Sequence, residues 1–167
     1  STPADILAAP HMWLQKSTSG KISRTRNREL YLKVVAEQAA AARAMRPIAE
    51  AKAEAWEIAM VRDDVPNETQ RSVVLAFQQY GQDEVLAPYV EKYLAAADTM
   101  WEDKGTQRAS TALEFIFPKQ LASEELLDRV DAWLESSEAN PAAKRYVREG
   151  RADVARALAA QERDARG

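Results

Sequence analysis

Apolar residues recur along this chain at three- and four-residue intervals, and they seldom alternate strictly with polar ones. After Pro47, for example, the apolar positions are Ile48, Ala51, Ala55, Trp56, Ala59 and Met60. Such spacing places side chains on one face of an α-helix, whereas strict alternation would indicate a strand. Glycine is scarce, with 5 residues, while good helix formers such as alanine, leucine, glutamate and arginine recur throughout. The pattern predicts an all-α fold.

Prolines, glycines and capping residues divide the first half of the chain into helices. Pro47 and Pro88 suit the beginning of a helix, where a missing N–H costs no hydrogen bond. Asn67 and Gln70 have the spacing of a capping box, and Gly81 is expected to end the helix that they begin. The buried face of that helix is predicted to contain Val73, Val74, Phe77 and Tyr80.

The second half is divided in the same way. Gly105 is predicted to end a helix, and Ser123 and Asn140 are predicted to cap the next two at their N-termini. Gly150 is expected to end a short helix, and a final helix is predicted from about 152 to 162. Trp56, Trp101 and Trp133 lie on apolar stripes, which favours a role as core anchors over ligand stacking.

The predicted helices recur at a regular spacing. They begin near residues 47, 67, 88, 106, 123 and 141, so pairs of helices repeat every 35 to 41 residues. That period is typical of HEAT-like helical hairpins, and the tetratricopeptide signature is not visible. We predict an irregular HEAT-like array of about seven to eight antiparallel helices. The predicted regions are a flexible basic segment over 1–26, the helical array over 27–163 and a frayed end over 164–167.

Charge is distributed unevenly along the chain. The net charge is −3, yet residues 16–33 contain six basic residues and one acidic residue, so this segment carries +5 and the remainder −8. A basic segment of this kind could meet phosphates, RNA or an anionic surface, or it could be the solvated start of a helix. The acidic remainder argues against nucleic acid as a partner.

Composition also indicates the cellular compartment in which the protein is expected. The chain contains no cysteine, which excludes disulfides and thiolate metal sites and fits a reducing compartment. We see neither a secretory signal nor the ~20 consecutive apolar residues that a membrane-spanning helix needs. We therefore expect a soluble cytoplasmic protein with no membrane partner. Its oligomeric state stays open.

Side chains suited to catalysis are few. A zinc hydrolase of the His-Glu-x-x-His type needs two histidines, but His11 is the only histidine in the sequence. The adjacent carboxylate pairs fall at predicted helix ends, where acids interact favourably with the helix dipole. These pairs are Asp63 with Asp64, Asp83 with Glu84, and Glu124 with Glu125. We predict no catalytic residue, no metal site and no cofactor.

One turn contains residues that could bind a ligand, namely Ser19, Gly20 and Lys21. It is not a phosphate-binding Walker loop, because the first glycine of that motif would fall at Gln15 and its hydroxyl residue at Ile22. A lysine after a small turn can still reach a negatively charged group. We therefore consider these three residues a candidate anion-binding site.

From about residue 36 to 163 the chain resembles the C-terminal helical domain of actinobacterial aminopeptidase N, a domain also found in endoplasmic-reticulum aminopeptidases. The matching stretches are "AAARAMRPIAEAKAEAWE", "DDVPNETQRSVVLAFQ", "VLAPYVEKYLAAADTMWED", "EFIFPKQLASEELLDRVDAWLES" and "NPAAKRYVREGRADVARALAAQ". They follow one another in order and without large gaps.

This resemblance implies a HEAT-like bowl that closes over a zinc-bearing catalytic domain and influences which peptides enter. In that family the domain contains neither the zinc ligands nor the general base. The implied role is a non-catalytic lid or scaffold, with a zinc aminopeptidase catalytic domain or a peptide as partner. The candidate basic residues facing the peptide chamber are Arg71, Lys92 and Arg108.

Residues 12–32, which include "WLQKSTSGKISRTRNRELYL", resemble the C-terminal segment of adenylate-forming fatty acyl-AMP ligases. Lys21 occupies the place of their catalytic lysine, but the large adenylating domain has no counterpart here. The alternatives to a lid are therefore a stand-alone anion- or adenylate-binding protein that uses Lys21, or an engineered or recombined helical chain with no native activity.

Overall fold

A computed structural model describes Lys16 and residues 23–166. The described residues form eight α-helices: α1 (Arg24–Ala44), α2 (Ala49–Trp56), α3 (Asn67–Phe77), α4 (Asp83–Leu86), α5 (Tyr89–Lys104), α6 (Thr106–Phe115), α7 (Glu124–Ser136) and α8 (Pro141–Arg166). A π-helical turn, Glu57–Val61, continues α2, and a 3-10 turn, Lys119–Leu121, lies between α6 and α7. This part of the chain has no β-strand, so the predicted all-α class is confirmed.

The chain divides into two compact units, residues 1–36 and 37–167, with the boundary inside α1. Within the first unit, Ser23 precedes α1, and its hydroxyl accepts a hydrogen bond from the backbone N–H of Arg26 at 3.4 Å. The side-chain amide of Asn27 donates to the carbonyl of Ser23 at 2.6 Å. A serine in this position satisfies an N–H group that the first helical turn leaves unpaired.

The second unit contains three helical hairpins, α2–α3, α5–α6 and α7–α8. In one layer α3 packs on α6 and α6 packs on α8, while in the other layer α5 packs on α7 and the short α4 contacts α2. Each hairpin thus buries its apolar face on the next one, which is how helical-repeat arrays are stabilised.

Aromatic side chains link the hairpins within the core. Trp56 of α2, Phe77 of α3 and Tyr89 of α5 form a cluster with ring centroids 5.1 to 6.2 Å apart. Tyr93 of α5 is fully buried and donates its hydroxyl to the carbonyl of Leu113 in α6 at 2.7 Å. This bond satisfies the one polar group of a large core side chain, as burial requires.

Most of the predicted helix boundaries are confirmed. Gly105 ends α5 with φ of 73°, a conformation that favours glycine because it has no Cβ. Ser123 caps α7 by accepting from the N–H three residues on at 3.2 Å, and Asn140 accepts from the N–H two residues on at 2.9 Å. Pro47 and Pro88, which we predict as first helical residues, instead lie just before α2 and α5, which begin at Ala49 and Tyr89.

The predicted helix end at Gly150 is wrong. Helix α8 runs through Gly150 without interruption, and it continues to Arg166, so it includes three of the four residues for which we predict fraying. A Cβ atom at Gly150 would lie 2.4 Å from Cγ of the Phe117 ring. The glycine is therefore explained by close packing against Phe117 and not by a turn.

Two predictions for α3 are also wrong. Asn67 is the first residue of α3, and no side chain caps the helix, because Gln70 is buried and bonds elsewhere. Tyr80 is 95% exposed and not part of the buried face. The reason is that α3 ends at Phe77, and the chain turns through Gly81 before the helical period would bring Tyr80 inward.

Ion pairs lie within the last hairpin and also join it to the 3-10 turn. Arg151 of α8 and Asp131 of α7 form a two-pronged pair with N···O distances of 2.5 and 2.6 Å. Lys119 of the 3-10 turn bonds Asp153 of α8 at 2.7 Å. The hydrogen bond from Arg151 holds the pKa of Asp131 below its usual value, and the one from Lys119 does the same for the pKa of Asp153.

Candidate functional site

Ser19, Gly20 and Lys21 lie outside the residues that the structure describes. Their assignment as an anion-binding site stays a prediction. The described residues nearest to them in sequence, Lys16 and Ser23, flank this turn on either side.

The three candidate chamber-facing bases lie on different helices. Arg71 is on α3 and Arg108 on α6, two helices that pack together in one layer, whereas Lys92 is on α5 in the other layer. The structure therefore places Arg71 and Arg108 on neighbouring helices of one layer and Lys92 on a helix of the other layer.

Their side chains also differ in availability. Arg108 donates to the carbonyls of Arg62 and Asp63, both at 3.3 Å, at the end of the π-helical turn. Lys92 lies over the Tyr89 ring with its Nζ 4.8 Å from the ring centroid. Arg71 is exposed and has no ion-pair partner among the described residues. Of the three, Arg71 is the best placed to meet an external anion.

Lys52, on α2, is a functional candidate that the sequence analysis missed. Its side chain is fully buried, and its ammonium donates to the carbonyl of Ala44 at 2.7 Å and to that of Phe77 at 2.5 Å. Ala44 is the last residue of α1 and Phe77 the last of α3, so Lys52 satisfies carbonyls that two helix C-termini leave unpaired. The side chain acts as a cap shared by two helices.

The electrostatics of Lys52 are unusual. Carbonyls at helix C-termini favour a cation, but burial without a carboxylate partner disfavours it, and burial dominates. Burial lowers the pKa of Lys52 from 10.5 to about 8. A signal for this arrangement was present in the sequence, because Lys52 is one turn from Ile48 and Trp56 and so falls on the apolar stripe of α2.

Gln70 is the second buried polar side chain, at 2% exposure. Its Nε2 group donates to the carbonyl of Ala59 at 3.0 Å and to that of Arg108 at 3.4 Å. It thereby joins the π-helical turn after α2 to the start of α6. Like Lys52, Gln70 is fully engaged with backbone carbonyls, so neither side chain is available as a nucleophile or a base.

A cleft of about 320 Å³ opens between α4, the start of α5, the 3-10 turn and α7. Its apolar lining consists of Ala87, Val90, Leu121, Ala122 and Leu126. Its polar lining consists of Asp83, Gln120, Ser123, Glu125 and Arg129. The cleft combines an apolar surface with a few polar groups, as small binding sites commonly do.

The described residues contain neither a metal-binding cluster nor a membrane-spanning helix. Within Lys16 and residues 23–166, no three acidic or histidine side chains are grouped so that they could hold a metal ion. None of the helices in this described region combines the length and the apolar character needed to cross a lipid bilayer.

Comparison with known proteins defines the class of this chain. Residues 28–156 match the family described as the ERAP1-like C-terminal domain. This chain belongs to that family. The match covers the helical array, from α1 into α8.

A particular relative extends this result. Over 127 residues the chain is 43% identical to Aminopeptidase N from Streptomyces lividans, a match that covers 76% of this chain and 15% of the relative. The chain thus spans only a small part of the length of this curated protein. The predicted resemblance to the C-terminal domain of aminopeptidase N is confirmed, whereas the resemblance of residues 12–32 to fatty acyl-AMP ligases stays a prediction.

Proposed function

We propose that this chain is a non-catalytic helical module of an aminopeptidase-N-type protein. It packs against a zinc-bearing catalytic domain and restricts which peptides reach that domain. The observation that supports this role most strongly is the family match over residues 28–156, together with the 15% share of an aminopeptidase that the chain covers.

The internal geometry of the array supports a scaffold. Its buried polar groups, Lys52 and Gln70, are bonded to carbonyls of the chain itself. Such bonds fix α2 relative to α1 and α3, and the bond from Gln70 to the carbonyl of Arg108 joins α3 to α6. A buried donor or acceptor left unpaired costs about 1–3 kcal/mol. A scaffold held in this way presents a constant surface to a partner domain.

Within this role, Arg71 is the candidate contact with a peptide. It is exposed and unpaired in the described part of the chain, and it lies on the α3–α6 layer. An arginine can bind a carboxylate with two parallel hydrogen bonds. We propose that Arg71 meets the carboxylate of a peptide in the chamber, and that Lys92, in the other layer, does not.

Catalytic activity is tested first with the isolated chain. The purified protein is incubated with zinc and an aminoacyl-amide substrate. We expect no turnover, and turnover that a chelator abolishes would overturn the proposal.

The second test supplies a catalytic partner. The Streptomyces lividans aminopeptidase, produced without the region that matches this chain, is mixed with the purified protein. We expect the two to associate and the added chain to change the cleavage of long peptides more than that of an aminoacyl amide. Absence of both association and any effect on long peptides would contradict the lid role.

Arg71 is tested in the same mixture. Arg71→Ala should reduce the effect on peptides that end in a free carboxylate and leave peptide amides unaffected, whereas Lys92→Ala, the matched control, should change neither. Equal effects of the two substitutions would reject the assignment of Arg71 while leaving the lid role in place.

A further inference from the structure

The cleft between α4, α5, the 3-10 turn and α7 is distinct from the α3–α6 layer that contains Arg71. Its walls come from three places in the chain: Asp83 and Ala87 at one edge, Leu121 in the 3-10 turn, and Glu125 and Arg129 on α7. The volume of about 320 Å³ is at the lower end of the range for ligand pockets, and it suits one or two amino-acid side chains.

The charges around this cleft are not balanced. Arg129 is the only base in its lining, and it is paired with two carboxylates, Glu91 at 3.1 Å and Glu125 at 2.5 Å. Asp83 contributes a third carboxylate and has no ion-pair partner among the described residues. The cleft and its rim therefore have three carboxylates to one guanidinium.

The apolar lining limits the kind of cation that would bind. A small inorganic cation would gain nothing from Ala87, Leu121 and Ala122, the apolar lining residues that are not buried. Lysine and arginine side chains, by contrast, have an apolar stem and a charged end. Such a side chain can place its stem on this apolar lining and its charge beside Asp83.

We propose that this cleft binds a peptide segment in which an arginine or lysine stands next to an apolar residue. The basic side chain pairs with Asp83, and the apolar neighbour packs on Leu121 and Ala122. Because Glu91 and Glu125 are both already paired with Arg129, the selectivity comes from the carboxylate of Asp83. This binding does not require an aminopeptidase catalytic domain.

The test uses two peptides that differ at one position, acetyl-Ala-Leu-Arg-Ala-amide and acetyl-Ala-Leu-Glu-Ala-amide. Each is titrated into the full isotope-labelled chain while the backbone amide signals are followed by NMR. We expect saturable shifts at the cleft, near Ala87 and Leu121, for the arginine peptide. The glutamate peptide should bind at least about tenfold more weakly, because its charge is repelled.

Two substitutions, with one matched control, separate charge from shape. Asp83→Asn should lower the affinity for the arginine peptide about threefold, which is the size of effect expected for one exposed ion pair. Glu84→Gln is the matched control, since Glu84 is the adjacent exposed acid but does not line this cleft, and it should change affinity little. Ala87→Leu, at an exposed lining position, should block the cleft and abolish the shifts.

The outcomes decide the proposal as follows. Selective, Asp83-dependent binding at the cleft supports it. Shifts that occur elsewhere, equal affinity for both peptides, or equal effects of Asp83→Asn and Glu84→Gln would each overturn it. Unfolding of each variant is followed in parallel, so that a loss of binding caused by misfolding is recognised.

Discussion

The first and last hairpins of the array are built alike but stabilised differently. In α2–α3, a buried lysine and a buried glutamine bond to backbone carbonyls at helix ends and in the π-helical turn. In α7–α8, the polar contacts lie at the surface as the pairs of Asp131 with Arg151 and Asp153 with Lys119. The interior of this hairpin is instead fitted to a neighbour, with Gly150 against Phe117.

This difference has a physical consequence. A buried cation with no carboxylate partner makes stability depend on alkaline pH, whereas surface carboxylate pairs make it depend on acid and on salt. A repeat architecture therefore does not imply a repeated mechanism of stabilisation. The two ends of the array should respond to opposite pH extremes, which the predictions for Lys52 and Asp131 test.

The largest effect should come from Lys52. Its pKa is about 8 in the folded protein, below the value of 10.5 in an unfolded chain. Between these values the unfolded chain binds a proton that the folded chain does not, so the free energy of unfolding should rise with pH. The contribution of Lys52 to this rise should reach about 2.5 kcal/mol by pH 10. Urea unfolding at pH 7, 8, 9 and 10 measures it.

Lys52→Met removes this titration, so the variant should lack the rise, whereas Lys92→Met, an exposed control, should keep it. Parallel pH curves for wild type and Lys52→Met would show that Lys52 is not responsible. The pH range over which this test isolates Lys52 ends near pH 10, because burial raises the pKa of Tyr89 and of Tyr93. These tyrosines stay protonated when folded and ionise when unfolded, which lowers stability again.

The second effect concerns Gly150. Gly150→Ala places a methyl group against the Phe117 ring, at a separation of 2.4 Å if nothing moves. Overpacking of this kind costs about 3 kcal/mol and exceeds the gain of about 1 kcal/mol from better helix propensity, so we expect a net loss of about 2 kcal/mol in thermal or urea unfolding.

Ala157→Gly, at an exposed position of the same helix, is the control and should lose about 1 kcal/mol through propensity alone. Combining Gly150→Ala with Phe117→Leu should cost less than the sum of the two single changes, because the smaller side chain leaves room. Strict additivity, or a stabilising Gly150→Ala, would contradict the packing explanation.

A third, smaller effect is expected for Gln70. Gln70→Leu removes the donor to the carbonyl of Ala59 and should lower the free energy of unfolding by about 1 kcal/mol. Gln38→Leu, at an exposed position on α1, serves as the control and should change it little. An unchanged stability of Gln70→Leu would show that water or another donor replaces the lost bond.

The smallest effect is expected for Asp131. Its folded pKa is lowered by Arg151, so the pair contributes stability above the unfolded pKa of about 4, and this contribution is lost as the pH falls through the folded value. Because both side chains are partly exposed, Asp131→Asn should cost no more than about 1 kcal/mol at neutral pH, and less at high salt.

Asp128→Asn, on the same helix but without an ion-pair partner among the described residues, is the control for Asp131. It should change the free energy of unfolding little, at low and at high salt. If the two variants behave alike, the pair with Arg151 contributes nothing measurable.

Local signals in the sequence predicted much of the fold. Gly105, Ser123 and Asn140 mark helix ends because the backbone requires a positive φ or a capping oxygen there, and these requirements are readable from neighbouring residues. Gly150 misled the prediction because its reason is a contact with Phe117, 33 positions away in the sequence. Long-range packing of this kind leaves no local trace.

The candidate sites were less predictable for a related reason. Arg71 and Arg108 were suggested by family resemblance, but only the fold shows that Arg108 is bonded to backbone carbonyls. The cleft at Asp83 joins residues from α4, the 3-10 turn and α7, and no sequence pattern relates them. Lys52 is the exception, since a lone lysine on an apolar stripe is a local signal that burial requires a partner.

The reactivity of Lys52 can also be used to measure opening of the first hairpin. Amine-reactive reagents modify exposed lysines within the folded protein, but they can reach the Nζ of Lys52 only when the ends of α1 and α3 separate from it. The rate of acylation at this one residue, read by mass spectrometry, would therefore measure how often the hairpin opens. A partner domain that clamps the array should slow that labelling without touching the lysine.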